Sequence, residues 1–315
     1  VATTAALAQV GPGDIALAVL LAVVTNLAFS WGESLVAAFL PELARPDSLG
    51  RVSGWGWSFG YLGGMLTLGL CLAWVLSAQA RGEAAAQYVP VTMLITAAAF
   101  ALAALATFAL LRERAQPGAA TASAGRPTGA LRRLAATWRQ AGRYADFRRL
   151  LACGLAYQAG ISVVITLAAV YAEQVLRFSP PETMLLIFLV NIAAAAGAFA
   201  WGYVQDRIGH RRALGLTLVG WMLMTLLAGV ATGKPLFWAA AVLAGLCMGS
   251  SQSAGRALAG AFAPAAQRGE FYGLWTFATR LSAIVGPMTY GLVTWATGGH
   301  HRLAIAATGL FFVAG

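Results

Sequence analysis

Charged residues are scarce in this sequence: Asp, Glu, Lys and Arg together make up 10% of its 315 residues. Soluble domains carry about 25%, and a mean hydropathy of +0.73 with 59% hydrophobic residues does not suit a surface in water. Lysine is nearly absent, because Lys234 is the only one, so arginine carries the net charge of +10. This composition favours the bilayer as solvent.

Residues that support enzyme or metal chemistry are also few. The three cysteines lie in apolar runs and lack the spacings that bind zinc or form a disulfide framework. The three histidines form no cluster with acidic residues or cysteine. We therefore expect no enzyme activity, no cofactor and no metal site. The positive charge is to be interpreted by its position along a membrane, and we expect no nucleic-acid partner.

Long apolar runs dominate the chain. A membrane span needs about 20 mostly apolar residues. Eight runs meet that length: 14–40, 53–78, 89–112, 147–175, 182–205, 212–231, 235–262 and 270–297. A ninth begins near Leu303 and is unfinished at Gly315, and Val1 is not a methionine, so we expect a longer parent chain. The pattern predicts an all-α, polytopic membrane protein with eight complete spans.

Basic residues alternate between the connections. Those after the first, third, fifth and seventh spans hold 15 arginines, whereas the opposite connections hold 4 basic residues. The positive-inside rule assigns the arginine-rich connections to the cytoplasm. We therefore expect the first span to enter from outside.

The long polar stretch 113–146 predicts a cytoplasmic linker between a helical region 1–112 and another at 147–315. Within it, Leu131, Leu134 and Trp138 recur at i, i+3 and i+7 among arginines. This spacing predicts a short amphipathic helix, with anionic lipids bound along 131–149. A solvated basic connector is the alternative.

The connection between the fifth and sixth spans carries a specific motif, formed by Gly202, Asp206, Arg207, Gly209, Arg211 and Arg212. It resembles the cytoplasmic loop motif G-x-x-x-D-R-x-G-x-R-R of the major facilitator superfamily at each defined position. Its glycines permit a tight turn, its arginines hold the loop in the cytoplasm, and its carboxylate can face a helix N-terminus. We expect Asp206 near the start of the second span, where Arg51 lies.

Further stretches, Pro46–Trp57, Glu270–Gly273 and Gly286-Pro287, resemble the vacuole-effluxer-like branch of this superfamily. If the motif joins helices 8 and 9 of twelve, the spans are helices 4 to 11, and the linker falls between helices 6 and 7. Helices 1 and 2, most of 3 and most of 12 would then be missing. The resemblance implies export of small solutes, amino acids by analogy, with helices 1, 4, 7 and 10 lining a central cavity.

Three ionisable residues lie well inside predicted spans, away from the ends, where each costs about 2.5–3.5 kcal/mol without a partner, water or a function. Arg280 falls near the middle of its span and predicts a site for an anionic group of the solute. Glu33 and Arg256 lie at similar depth and predict a reversible, proton-sensitive gate. Alternatively, Arg256 pairs with Gln252 and helix-end carbonyls, and Glu33 faces only Ser30 and Asn26, which share its helical face at i, i+4 and i+7.

Uncharged polar side chains complete the candidate solute site: Gln252, Asn26, Gln158 and Asn191. Asp206 and Arg51 are further gating candidates beside Glu33 and Arg256, and we expect them to bridge the two halves of the transporter. Together with the export and amino-acid-like solute that the resemblance implies, these residues predict a secondary transporter of a small amino-acid-like, anionic or zwitterionic solute by alternating access, with a route to proton coupling. A non-transporting membrane sensor or scaffold is the alternative. We expect a monomer in a bacterial inner membrane.

The positive-inside count predicts that the linker 113–146 and the loop 206–212 face the same compartment. Single cysteines replacing Ala122 and His210, in a variant without the three native cysteines, should react equally with a membrane-impermeant maleimide in inside-out vesicles. Labelling from opposite faces would contradict this topology.

Overall fold

Long α-helices follow one another through the described chain. The structure is a computed structural model and describes residues 1–11, 13–112, 139 and 144–315, among which there is no strand. The predicted all-α class is confirmed. The predicted amphipathic helix with Leu131, Leu134 and Trp138 lies outside the described residues.

The helices are, in chain order, α1 (Ala2–Ala6), α2 (Ile15–Ala38), α3 (Leu40–Leu43), α4 (Leu49–Ala80), α5 (Ala85–Leu110), α6 (Ala145–Leu176), α7 (Pro180–Ile208), α8 (His210–Val230), α9 (Lys234–Phe262), α10 (Arg268–Ala296) and α11 (His301–Ala314). Short 3-10 turns occupy Leu7–Gln9 and Ala265–Gln267.

Each predicted span corresponds to a helix. The largest differences are at the starts of α4 and α5, which begin at Leu49 and Ala85 instead of 53 and 89. Helical hydrogen bonding continues past the apolar run into its polar flank, so a count of apolar residues underestimates these helices. The unfinished ninth run forms the 14-residue α11.

Seven helices in the described ranges are long and apolar enough to cross a membrane, with α2 and α3 counted as one segment. The eighth predicted span forms α10, which has 29 residues, the same length as α7, but is not among those seven. Its middle carries Arg280 and Pro287, which lower its apolarity. By length and composition, therefore, seven of the eight expected spans qualify.

The described residues form two compact units. The first comprises Val1–Glu33 and the chain from Gly63 to Arg112, and the second comprises Ser34–Leu62 and the chain from Tyr144 onward. The boundaries fall inside α2 and α4, because the first turns of α4 pack with α7 and α9. The division into regions 1–112 and 147–315 stays a prediction.

The first unit buries little of its apolar surface. α1 packs on α5, and the Thr25 hydroxyl donates to that of Thr3 at 2.9 Å. Phe108 of α5 is 86% exposed and Leu102 70%. In water such surfaces would be unfavourable, whereas lipid tails are as apolar as these side chains.

The second unit has a buried core of aromatic and small residues. Trp221 of α8 is fully buried and stacks on Phe312 of α11, with ring centroids 4.9 Å apart. Its indole N–H donates to the hydroxyl of Ser251 on α9 at 3.2 Å. This bond satisfies the one polar group of the ring inside an apolar environment.

Glycines bring α7 and α9 into backbone contact. A Cβ at Gly245 would lie 2.6 Å from that of Ala193, and one at Gly249 would overlap the carbonyl of Ala194. Small residues permit this approach, which is how helices associate without a hydrophobic driving force. The α7–α9 interface is therefore tightly packed.

An ion pair joins the first turns of α7 and α9. The ammonium of Lys234 donates to both carboxylate oxygens of Glu182, at 2.7 and 2.8 Å, and lies 5.3 Å from the ring centroid of Phe178. Glu182 also accepts from the backbone N–H of Ser179 at 2.7 Å, which caps α7. Both charged side chains are more than a third exposed, so we expect only modest stabilisation.

Gly249→Ala should lower the apparent melting temperature in detergent, because a methyl group there forces α7 and α9 apart. Overpacking of this kind costs about 1–3 kcal/mol. Gly215→Ala on α8 is the matched control, since its Cβ would meet nothing within 4 Å and alanine favours the helix. Equal melting temperatures for the two variants would contradict this account.

Candidate functional site

The motif glycine and arginines form the turn between α7 and α8. Gly209 ends α7 with φ at +87°, a conformation that side chains rarely allow. The side chains of Arg207, Arg211 and Arg212 are exposed around this turn. We call this side of the second unit the arginine-rich end; it also holds the first turns of α4 and α10 and the last turns of α9.

The carboxylate of Asp206 binds the N-terminus of α4. Its Oδ1 accepts from the backbone N–H of Gly50 at 2.7 Å, and its Oδ2 accepts from the backbone N–H of Arg51 at 3.0 Å. The side-chain Nε of Arg51 also donates to Oδ2, at 3.1 Å. The first N–H groups of a helix lack partners within it, and a negative charge is favourable there. The Asp206 side chain is 8% exposed, so water screens these bonds little.

Three glycines permit this contact. A Cβ at Gly202 of α7 would lie 2.8 Å from the carbonyl oxygen of Gly50, and one at Gly50 would lie 2.5 Å from the Asp206 carboxylate. Gly54, one turn further along α4, lies against the carbonyl of Ala198. Gly202 of the motif therefore allows α4 to approach α7, and Gly50 and Gly54 provide the matching surface on α4.

Gln205, beside Asp206, was missed by sequence reasoning. It is fully buried, and its Nε2 lies 2.7 Å from Nδ1 of His210. Its amide carbon lies 3.1 Å from the position of a Cβ on Gly50. Gln205 occupies an undefined position of the motif, so no sequence signal pointed to it.

Arg256 of α9 binds α4 through Ser53. Its Nη2 donates to the Ser53 carbonyl at 2.6 Å and its Nε to the Ser53 hydroxyl at 3.1 Å, while its guanidinium carbon lies 5.5 Å from the ring centroid of Trp57. The Ser53 hydroxyl donates in turn to the carbonyl of Ser253 at 2.9 Å. The sequence singled out Arg256, but it did not identify Ser53 or Trp57 as contacts.

Two predicted solute-site residues meet between α6 and α9. Nε2 of Gln158 donates to Oε1 of Gln252 at 2.9 Å, and Gln158 is 4% exposed. Gln252 lies one turn before Arg256 on the same helix. Gln252 and Arg256 therefore form a polar strip on α9, and Gln158 of α6 contacts its first residue.

Two other predicted residues of the second unit lie on α10 and α7. Arg280 belongs to an exposed face of α10, with Phe277 and Ile284 one turn away on either side. Nδ2 of Asn191 donates to the carbonyl of Ile187 in its own helix at 2.8 Å, so this bond does not join two helices.

The first unit contributes Asn26 and Glu33 of α2, both exposed. Nδ2 of Asn26 donates to the Ala22 carbonyl at 2.9 Å, and the Ser30 hydroxyl donates to the Asn26 carbonyl at 2.9 Å. Asn26 and Ser30 thus occupy the shared helical face that their spacing predicted.

These groups can bind ions and exchange hydrogen-bond partners. Within the described ranges, no three His, Cys, Asp or Glu side chains come together as metal ligands would. Guanidinium, carboxylate and amide groups recognise charged or polar solutes by charge-assisted hydrogen bonds.

Curated proteins of similar sequence include one from a bacterium and one from a fungus. The chain is 24% identical over 307 residues to an uncharacterised MFS-type transporter, YxiO, of Bacillus subtilis, and the match covers 95% of this chain and 69% of that one. It is 25% identical over 267 residues to autophagy-related protein 22-1 of Emericella nidulans, covering 78% of this chain and 45% of that one.

Solved structures show the same fold. The human organic anion transporter MFSD10 (TETRAN) matches with a TM-score of 0.75 at 19% identity, over 99% of this chain and 73% of that chain. The Escherichia coli fucose:proton symporter FucP matches with a TM-score of 0.74 at 16% identity, over 99% and 78%. At such identities the likeness concerns the fold alone.

The profile of the family described as "Vacuole effluxer Atg22 like" matches residues 47–315. This range contains the motif at the α7–α8 turn, the first turns of α4 and the polar strip of α9. The predicted resemblance is confirmed, and the relatives and structural neighbours are transporters rather than enzymes. The chain is a multi-pass membrane transporter of the major facilitator superfamily and belongs to its vacuole effluxer Atg22-like family.

Proposed function

We propose that this protein exports a small anionic or zwitterionic solute, such as an amino acid, by alternating access. The family description as an effluxer supports the direction. The human neighbour is an organic anion transporter, which supports an anionic solute, and the E. coli neighbour is a proton symporter, which supports proton coupling.

The contact of Asp206 with the first turn of α4 is the observation that carries this proposal. It closes the arginine-rich end with hydrogen bonds to a charged group, each worth about 1.5–3 kcal/mol. Water and loop groups can replace these partners when the end opens. A transporter needs two states separated by a few kcal/mol, and such exchangeable bonds suit that requirement better than a tightly packed backbone interface does.

For the solute site we propose Arg280, Gln252, Gln158, Asn191 and Asn26. A guanidinium binds a carboxylate through two parallel hydrogen bonds, and amides donate to and accept from the remaining polar groups. The exposed position of Arg280 and the inter-helix pair of Gln158 with Gln252 support their assignment.

For proton coupling we propose Glu33 as the proton-accepting group and Arg256 as its partner in a reversible gate. A double-mutant cycle on transport rate with Glu33→Gln and Arg256→Gln tests this pair. We expect a coupling of about 1 kcal/mol or more. Additive losses would mean that the two residues act independently.

We further propose that the protein is a monomer of the bacterial cytoplasmic membrane, with anionic lipids along 131–149. The Bacillus relative and the exposed arginines of the α7–α8 turn support this location.

The complete protein, reconstituted in liposomes, should catalyse exchange of a labelled standard amino acid, and an opposed pH gradient should drive net flux. A non-transporting sensor or scaffold of the same fold would bind a solute without flux. Empty liposomes measure leakage, and Asp206→Asn protein measures the flux that remains when the Asp206 contact is weakened. Binding without exchange across the amino-acid panel would favour the sensor.

Asp206→Asn should shift the population away from closure of the arginine-rich end. The amide has one acceptor oxygen instead of two and no charge, so we expect the closed-to-open ratio to fall by about tenfold or more. Spin labels at Asp47 and Gly269 report this ratio as a distance distribution. Asp146→Asn is the control, because that carboxylate is exposed and pairs with Arg149 within α6. An unchanged distribution in Asp206→Asn would contradict a role of the Asp206 contact in closure.

Arg280→Lys should weaken solute binding although the charge is kept, because an ammonium lacks the planar pair of donors. Loss of one charge-assisted hydrogen bond predicts about tenfold lower affinity, with a larger loss in Arg280→Ala. Equilibrium binding in detergent is the measurement. Arg177→Lys, at an exposed position between α6 and α7, should bind normally. Wild-type affinity in Arg280→Ala would remove this residue from the site.

A further inference from the structure

Arg256 lies beside Gln252 of the proposed solute site and also contacts α4 at the arginine-rich end. Gln252, which holds Gln158 of α6, precedes it by four residues on α9, so their side chains begin about 5–6 Å apart. The guanidinium itself donates to Ser53 of α4. One side chain therefore lies within reach of both the amide pair and α4.

The contact with α4 is a built site. Ser53 is fully buried, and both of its oxygens accept from the guanidinium. The Trp57 ring lies within the range of a cation–π interaction, at 5.5 Å. Gly56 provides the space, since a Cβ there would lie 2.8 Å from Nη2 of Arg256. A larger residue at 56 would displace the guanidinium.

The acceptors that Ser53 offers are neutral. Hydrogen bonds between a guanidinium and a carboxylate are roughly twice as strong as those between neutral groups, and they form in parallel pairs. A carboxylate seated beside Gln252 can therefore compete with Ser53 for the same donors. Moving the guanidinium toward a solute would remove two hydrogen bonds and a ring contact from α4.

We propose that Arg256, Ser53 and Trp57 form a latch that holds the arginine-rich end closed and that a carboxylate-bearing solute releases by binding Arg256. The release step rests on the proposed transport function. The holding step depends only on contacts between α4 and α9 and does not require a solute. Arg256 is on this account a positioning residue for closure and a binding residue during opening.

Gly56→Ala tests the holding step without changing any latch side chain. In the complete protein, with labels at Asp47 and Gly269, we expect the open-to-closed ratio to rise by about tenfold, as for loss of hydrogen bonds to a charged donor. Gly60→Ala, one turn along α4, is the matched control, because its Cβ meets nothing within 4 Å. Equal ratios in the two variants would overturn the latch.

Arg256→Gln should raise the open fraction in the same way. Its control is Arg302→Gln, since Arg302 also donates to a backbone carbonyl, that of Ala231, at 2.9 Å but near the start of α11. If Arg302→Gln opens the arginine-rich end equally, general destabilisation explains the result and the latch is excluded.

The release step is tested with a mixture of the standard amino acids and, as its control, a mixture of their amides, which lack the free carboxylate. The amino acids should raise the open fraction of the wild type severalfold and leave that of Arg256→Gln unchanged. No shift in the wild type, or an equal shift with the amides, would overturn release by a carboxylate. Because the distances are measured without transport, this outcome is distinct from an absence of flux in liposomes, which would overturn the proposed function.

Discussion

The hydrogen bonds of the Asp206 carboxylate to the first turn of α4 underlie the arrangement of the whole arginine-rich end. The free N–H groups of a helix start need acceptors, and a carboxylate supplies them together with a charge of the favourable sign. The bonds form only because Gly50, Gly54 and Gly202 let α4 approach α7. With α4 held there, Ser53, one turn after Gly50 on α4, comes within reach of Arg256 on α9.

Two kinds of helix contact are therefore present in the second unit. At the α7–α9 interface, the backbones of the two helices touch at Gly245 and Gly249. Separating these helices would lose close packing that water or a solute does not replace. At the start of α4, charged and polar groups provide the contact, and water or a solute can take their place. The first kind preserves a rigid body, and the second suits a surface that opens and closes.

The fold was largely predictable because span length is set by bilayer thickness and appears in the sequence as apolar runs. Errors arose where helices continue beyond those runs, as at the start of α4, and where a span is polar, as in α10. The position of Asp206 followed from its motif. The contact of Arg256 with Ser53 did not, because the two residues are 203 positions apart and neither spacing nor composition connects them.

The ion pair of Lys234 with Glu182 has a practical consequence, because this lysine is the only one in the sequence. Amine-directed reagents find a single side-chain target, at the ends of α7 and α9 opposite to the arginine-rich end. Acylation of that amine removes its charge and its bonds to Glu182. A tether attached at this side chain holds the arginine-rich end away from the support.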